Sequence, residues 1–527
     1  MSEQYVRFLT KENFTLAYKR LKTIKKHEYK DFYYHDFKAF EALFNQNIET
    51  LISEIDEGIY EPSSCEKYYM PKKKNLARPI TLLTLIDQIV YQAIANIAAD
   101  TFHPIMSRYF NLNTFGNVFI PTDAPNNIFF FEQWKTQWKK FNQNKKEAFA
   151  QGFIYSAEFD IASFYDTIDH KVLFAIMREY GIDHEMIDLL NKCLSKWTVS
   201  ATANLRFVKS CGIPQGPACS AFFAEIYLLK LDEEMRKKEA IKYFRYADDI
   251  NIMAKTKEKC QTMIVYLDLL AREIALIPQS EKIGVAVIEN IDKHINGITA
   301  KFSSFTKEYN KNNESLKEST HRRLKEKFLA CFEPDNFNKT IIKFALFKLN
   351  RDDEVKSAII DNMDQMELFY QGVIYYFNKH YPNDPDFDQF ILSYLLGDTV
   401  LFQYNKSLLF KSYAYLQYED SIYRGNCRNV QKFWIVQYQM IGWLRRCKRV
   451  ALGIECYEGE NYFIRRRISY MKMRTLPDDA SKRAYLEKMI DHEDPMTSLH
   501  GLYLWNRELF FDPPPDAKGN NNYAIKL

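Results

Sequence analysis

Glycine is scarce in this chain, at 16 of 527 residues. That scarcity argues against a loop-rich or all-β protein, since glycine is the default residue of strained turns. Metal-ligand spacing is lacking as well. The nine cysteines are scattered without a Cys-x-x-Cys pair, and the ten histidines form no His-x-x-x-His. A zinc site and a disulfide framework are therefore not expected, and the thiols read as buried or free in a reducing cytosol. The opening "MSEQYVRFLTKENF" has no apolar signal region. Nor is there a run of about 18 apolar residues, so a cytoplasmic protein that does not span a membrane is expected. An excess of one charge is also missing: 72 Lys+Arg face 68 Asp+Glu, leaving +4. So mild a balance does not announce a nucleic-acid partner, and the placement of the charges has to be read instead.

What the chain has in plenty is length and aromatic rings. Its 527 residues exceed one ordinary domain and predict two or three. Aromatics make up 15%, which suits large cores and also base stacking. Residues 40–58 read as one amphipathic helix, with Phe40, Leu43, Phe44, Ile48, Leu51, Ile52 and Ile55 on one face. "YYMPKKKNLARPITLL" (68–83) reads as two strands joined by a basic turn. Thr84 is placed to cap a helix whose buried side carries Ile86, Ile89, Val90, Ala93, Ile94 and Ile97. A strand follows at 153–161, then a helix at 170–180 capped by Asp169 and ended by Gly181, and another helix at 220–235. Residues 242–254 read as a hairpin. Strands and helices alternate without strict βαβ order, so this half is α+β.

Beyond about residue 300 the periodicity is helical. The polar stretch 306–323 reads as a connector or an exposed helix start. "EVKSAIIDNMDQMELFYQGVIYYF" (354–377) is the strongest helical pattern, and "HYPNDPDFD" (380–388) reads as a loop between helices. Helical repeats are one arrangement for this all-α region, although no period is legible. The expected domains are 1–300, 301–511 and a flexible tail, 512–527.

Two acidic sites interrupt apolar strands. "RYADDINIM" (245–253) sets Asp248 beside Asp249, although Asp is depleted in strands and adjacent anions repel. A hairpin turn accounts for the pair in one way; a turn that holds a metal ion accounts for it in another. About ninety residues earlier, "EFDIASFYDTIDH" (158–170) ends an apolar strand on Asp160, where a buried anion is costly without a partner. Carboxylates from both segments suit Mg²⁺, which takes oxygen ligands from one or two carboxylates plus substrate phosphates. Between the two lies "CGIPQGPACSAFF" (211–223), a compact turn with Gln215 and Gly216 leading into a helix.

Asp160 with an aromatic five positions on, then "GIPQGPACS", then "YADD" resembles the palm of reverse transcriptases, in that family's order. The resemblance covers roughly residues 60–290 and implies a right-hand polymerase core of fingers and palm, followed by an all-α C-terminal domain. It implies an RNA-directed DNA polymerase that uses deoxynucleoside triphosphates and Mg²⁺, with Mn²⁺ as the alternative. Asp160, Asp248 and Asp249 would be the catalytic metal ligands. Tyr165 would sit under the incoming sugar and exclude a 2′-hydroxyl. Gln215 and Gly216 would line the nucleotide pocket. In "PKKKNLARPITLL", Arg78 and then Lys74 are the candidates for gripping the triphosphate; Lys72 and Lys73 read equally as a solvated turn. Lys282 resembles the Lys that follows the catalytic hairpin in this family and reads equally as a surface Lys. "NTFGNVF" (113–119) departs from the commoner pattern, with Asn117 and Val118 where many relatives carry an aromatic and an Arg.

"DIASFYDTIDH" with a long helical second half is similar to the bacterial abortive-infection and other defence-associated reverse transcriptases. That narrower likeness implies an antiphage role, a DNA product, in some relatives a noncoding RNA partner, and is compatible with a homo-oligomer. It also raises a protein hydroxyl as primer. Tyr523, in "GNNNYAIKL", is the candidate by reach, followed by Tyr29, Tyr33 and Tyr34. Positive charge gathers late. Arg445, Arg446, Lys448 and Arg449 form one run; Arg465, Arg466, Arg467, Lys472 and Arg474 form another, with aromatics between. These read as a phosphate-tracking groove or as solvated helix faces.

Overall fold

The computed structural model describes residues 2–24, 27–72, 76–199, 207–279, 283–296, 314–333, 336–397, 402–427, 433–455 and 461–507. The chain divides into two compact units. One comprises Met1–Glu66, Thr81–Ile295 and Asp478–Leu527; the other comprises Lys67–Ile80 and Asn296–Pro477. A single cut near residue 300 thus misses two excursions, the 67–80 hairpin and the C-terminal stretch.

The first unit opens with α1 (Glu3–Phe8), α2 (Lys11–Lys22), α3 (His27–Ala42) and α4 (Phe44–Asp56). The single helix expected over 40–58 is broken at Leu43, whose φ of −130° leaves the helical range. The apolar spacing continues across the break because Phe40, Ile48 and Leu51 all reach the same kind of buried environment. Two strands, β1 (Glu66–Lys72) and β2 (Leu76–Leu82), precede α5 (Leu85–Met106). Thr84 caps α5, accepting a hydrogen bond from the Asp87 N–H. One buried side was expected for α5; the helix is instead buried on nearly all sides, including Gln88, Gln92 and Asn96. Gln92 donates to Asn96 at 3.0 Å, and Asn96 donates to Asn13 of α2 at 2.9 Å, so these two buried amides find partners within the protein.

The sheet that positions the acidic residues has the order β4–β5–β3–β6 and its pairs are antiparallel. Its strands are β3 (Tyr155–Phe159), β4 (Ile241–Tyr246), β5 (Asp249–Ala254) and β6 (Gly284–Val287). Between β2 and the end of β6 run α6 (Trp134–Ala150), α7 (Phe164–Thr167), α8 (His170–Glu179), α9 (His184–Trp197), α10 (Ala218–Arg236) and α11 (Lys257–Glu273). Phe141 of α6, Phe244 of β4 and Met253 of β5 join Phe115 and Phe153 in one buried cluster. Asp169 caps α8 through the N–H groups of Lys171 and Val172, and Gly181 follows it at φ +88°, as the sequence predicts.

In the second unit the β1–β2 hairpin packs on helices. Tyr68 stacks on Tyr404 at 5.6 Å, and the Trp434 indole N–H donates to the Lys67 carbonyl at 2.8 Å. The helical pattern at 354–377 is three elements: Asp353–Asp361, a 3₁₀ turn at Gln365–Leu368, and Tyr370–His380. The expected loop at 380–388 is shorter, because Asp384 caps a helix that begins at Pro385. The helix start at 306–323 lies at Glu314, and residues 306–313 are outside the described set. Among the described residues seven cysteines are free, but Cys427 is disulfide-bonded, which corrects the expectation of thiols only. Sequence spacing does not reveal which sulfurs the fold brings together. Among the described residues no helix is long and apolar enough to cross a membrane.

Candidate active site

Three segments meet where β3, β4 and β5 end. β3 pairs with β5 up to Phe159 opposite Ile250, so one further step along that register sets Asp160 opposite Asp249. Facing positions of an antiparallel pair lie about 4.5–5.5 Å apart at Cα. Asp249 itself faces Tyr246 across the hairpin, leaving Ala247 and Asp248 as the two turn residues. Ala247 takes φ +55°, the left-handed conformation that tight two-residue hairpins require. Asp160 and Asp248 are half-buried and Asp249 is exposed. The Asp160 backbone is held from the other side, where the Gln279 N–H donates to its carbonyl at 2.8 Å.

The chain then turns through Ser163, at φ +47°, into α7, which carries Tyr165. The ring is half-buried, and burial raises the phenol pKa above its ordinary value, with Glu225 and Asp248 adding to the shift. The Pro-Gln-Gly loop is laced onto this element. Ile213 N–H donates to the Tyr165 carbonyl at 2.8 Å and Gly212 N–H to the Ile168 carbonyl at 2.8 Å. Gly212 has φ +93°, and the His170 ring, through Nε2, binds its carbonyl at 2.7 Å. The Gln215 carbonyl accepts from the Thr81 N–H at 2.8 Å. Asp160, Tyr165, Gln215, Gly216, Asp248 and Asp249 thus belong to one set of interlocked loops.

A buried ionic network under the hairpin was not foreseen. Arg245 is wholly buried; it contacts Glu225 at 2.6 Å and Asp232 at 2.5 Å, and donates to the Ala247 carbonyl at 2.9 Å. Glu225 and Asp232 stand seven residues apart on α10, two turns and hence one face. The available signal was Glu225, an acid flanked on both sides by the apolar run of α10. With one cation for two carboxylates, burial pushes the Glu225 carboxyl up to about 7 despite Arg245. Asn117, at φ +52°, donates to Glu225 at 3.0 Å. The "NTFGNVF" segment is therefore molded onto the hairpin. Phe115 N–H donates to the Arg245 carbonyl at 2.9 Å, and Arg245 N–H to that of Asn113 at 2.7 Å. A Cβ on Gly116 would lie 2.3 Å from the Ala247 nitrogen, so only glycine permits this approach.

Lys74, Lys282 and Tyr523 lie outside the described residues, and Arg78 is exposed on β2. In the second unit Arg445, Arg446, Lys448 and Arg449 are exposed. The expectation of a solvent-facing triple arginine is corrected. Arg466 is buried against the rings of Tyr462 and Phe463, each at 5.4 Å, and Arg467 lies 4.0 Å from the Tyr438 ring centroid and donates to that residue's carbonyl. Arg465 is half-buried. Aromatic rings, a turn away for Arg466 and on the Trp434–Arg446 helix for Arg467, claim these guanidinium groups before solvent does.

The donor chemistry at the hairpin fits a hard cation: carboxylate oxygens from Asp160 and from the Asp248–Asp249 turn, with room at the exposed tip. Among the described residues no three His, Cys, Asp or Glu side chains form a group able to hold a metal by themselves. Substrate phosphates would have to complete the shell, the usual arrangement for Mg²⁺.

Residues 70–293 match the family model described as reverse transcriptase (RNA-dependent DNA polymerase), so this segment is a reverse transcriptase family domain. Protein YkfC of Escherichia coli is 22% identical over 240 residues, 40% of this chain and 58% of that protein. The group II intron-encoded protein LtrA of Lactococcus lactis is 25% identical over 190 residues, 36% of this chain and 28% of that protein. The chain thus spans less than two thirds of either relative. A telomerase structure from Candida tropicalis aligns with a TM-score of 0.35 at 11% identity, covering 84% of this chain and 67% of that one.

Proposed function

We propose, from the premise that residues 70–293 are a reverse transcriptase domain, that this chain is an RNA-directed DNA polymerase. It would transfer deoxynucleotides from their triphosphates to a 3′-hydroxyl, or to a hydroxyl of the protein itself. The observation that carries the reading is the register that brings Asp160 level with the Asp248–Asp249 turn. Asp160, Asp248 and Asp249 would hold Mg²⁺, or Mn²⁺ in its place. When bound, such a metal supplies charge stabilisation at the transferring phosphate and a more acidic attacking hydroxyl. The remaining work is positioning by the chain. The half-buried ring of Tyr165 would occupy the space of a 2′-oxygen. Gln215 and Gly216 would border the base. Arg78, Lys74 and Lys282 retain the phosphate roles that the resemblance implies.

For the primer, Tyr523 remains the candidate by reach, and Tyr29 stays open. Tyr33 is unsuited: it is buried, and its hydroxyl donates to the Leu83 carbonyl at 2.6 Å. Tyr34, 54% exposed, is free to meet a substrate in a way that Tyr33 is not. The biological role we infer is antiphage defence in the cytoplasm, with a DNA product, a noncoding RNA partner and self-association as open elements of that role. Nucleic acid would follow the exposed Arg445, Arg446, Lys448 and Arg449. A second reading, a templated enzyme of a retroelement, is favoured by the likeness to a group II intron-encoded protein. The test is incorporation of labelled deoxynucleotide with Mg²⁺ by wild type and by Asp248→Ala, followed by sequencing of the product. Loss of incorporation in a folded Asp248→Ala supports the polymerase; wild-type levels end it. Copies of one element's RNA would favour the second reading.

A further inference from the structure

Helix α6 presents a surface that the site described above does not use. Trp134 and Trp138 stand one turn apart at its N-terminal end and are 65% and 41% exposed. Large aromatic rings seldom stay in water without a partner. These two are tied to the acidic hairpin. Trp138 meets the Tyr246 ring edge-on, at 5.1 Å and 85°, and the Tyr246 hydroxyl donates to the Trp134 carbonyl at 3.2 Å. Tyr246 in turn faces Asp249 across the turn. The next stripe of the helix is basic. Lys135 and Lys139 follow the two tryptophans at the same spacing, both exposed. Lys140 and Lys146 are engaged, by Glu132 at 3.9 Å and Asp292 at 2.6 Å, but Lys135 and Lys139 form no ion pair among the described residues.

We infer that this face of α6 is a stacking platform for single-stranded nucleic acid beside the catalytic turn. Bases lie on the indoles of Trp134 and Trp138, and backbone phosphates meet Lys135 and Lys139. Two observations select this occupant over a protein partner: the cations flank the rings in register, and the platform shares Tyr246 with the acidic hairpin. Stacking is indifferent to sequence, because every base has a π-face, whereas the lysines demand a polyanion. The inference rests on the polymerase reading and adds to it a place for the strand next to the reacting end.

The experiment measures binding and chemistry separately. Fluorescein-labelled oligothymidylate and oligouridylate are titrated by anisotropy into wild type, into Trp134→Ala with Trp138→Ala, and into Trp134→Phe with Trp138→Phe. Asp248→Ala is included, and nucleotide incorporation is assayed in parallel. The platform predicts that the double alanine variant binds about tenfold more weakly or worse, while the phenylalanine variant keeps most of the affinity. The arm with the larger loss identifies the strand as DNA or RNA. Unchanged affinity in the alanine variant overturns the platform, as does equal loss in both variants, which would mean packing and not stacking. If wild type binds neither oligonucleotide, the rings serve another partner and the platform is likewise overturned. The polymerase reading is judged apart, by whether wild type incorporates nucleotide and Asp248→Ala does not.

Discussion

Arg245 and Glu225 meet at 2.6 Å with 0% and 2% of their side chains exposed, directly beneath the turn that carries Asp248 and Asp249. Arg245 binds the Ala247 carbonyl as well, so the pair is coupled to the turn itself. Removing one partner of a buried ion pair strands the other charge and costs about 3–5 kcal/mol. Arg245→Ala is therefore expected to lower stability by that order, measured by denaturant unfolding. The pH dependence follows from Glu225. Its carboxyl rises from 4.5 to about 7 on burial, so the folded state holds the proton more tightly. That contribution is fully present below 4.5 and is lost as pH climbs through about 7. Glu225→Gln should flatten this part of the thermal stability profile; an undiminished slope in the variant would count against the assignment.

Gly116 offers a sharper test of the same region. An added Cβ would lie 2.3 Å from the Ala247 nitrogen, against backbone that cannot swing away. Gly116→Ala should cost at least about 1–3 kcal/mol and displace the turn, lowering kcat. Gly284→Ala is the control, since a Cβ there meets nothing within 4 Å. Equal stability of the two variants would show that the loop at 113–119 yields easily.

Tyr165→Ala is expected to admit ribonucleotides. The ring is held by α7 and by the Ile213 hydrogen bond to its carbonyl, so the side chain can be removed without releasing the loop. The ratio of kcat/KM for deoxy- and ribonucleotides should fall toward one. An unchanged ratio in a variant that still polymerises would remove the gate from Tyr165.

The arginines of the second unit should divide into two kinds. Arg445→Gln with Arg446→Gln should lower the log–log salt slope of single-strand binding by about 1.4 units, for two lost phosphate contacts. Arg466→Ala should leave that slope alone and reduce Tm, because its guanidinium serves the rings of Tyr462 and Phe463. A slope that responds to Arg466 instead would reverse the division.

What the sequence determined by itself was local. The caps at Thr84 and Asp169, the stop at Gly181 and the hairpin around Asp248 each rest on interactions within a few residues, so their signals sit in short stretches. The order of Asp160, the Pro-Gln-Gly turn and the paired aspartates was legible for the same reason. Tertiary structure decided the rest. Whether Arg466 faces water or a ring depends on Tyr462 and Phe463 turning toward the interior with it. Glu225 and Asp232 are ordinary helix residues until β4 delivers Arg245 between them. Gly116 needs to be glycine only because the Ala247 backbone, more than a hundred residues on, folds against it. The 67–80 hairpin belongs to the helical unit because Trp434 and Tyr404 meet it there. Such contacts join residues remote in sequence, and their energy exists only once the chain has closed the loops between them.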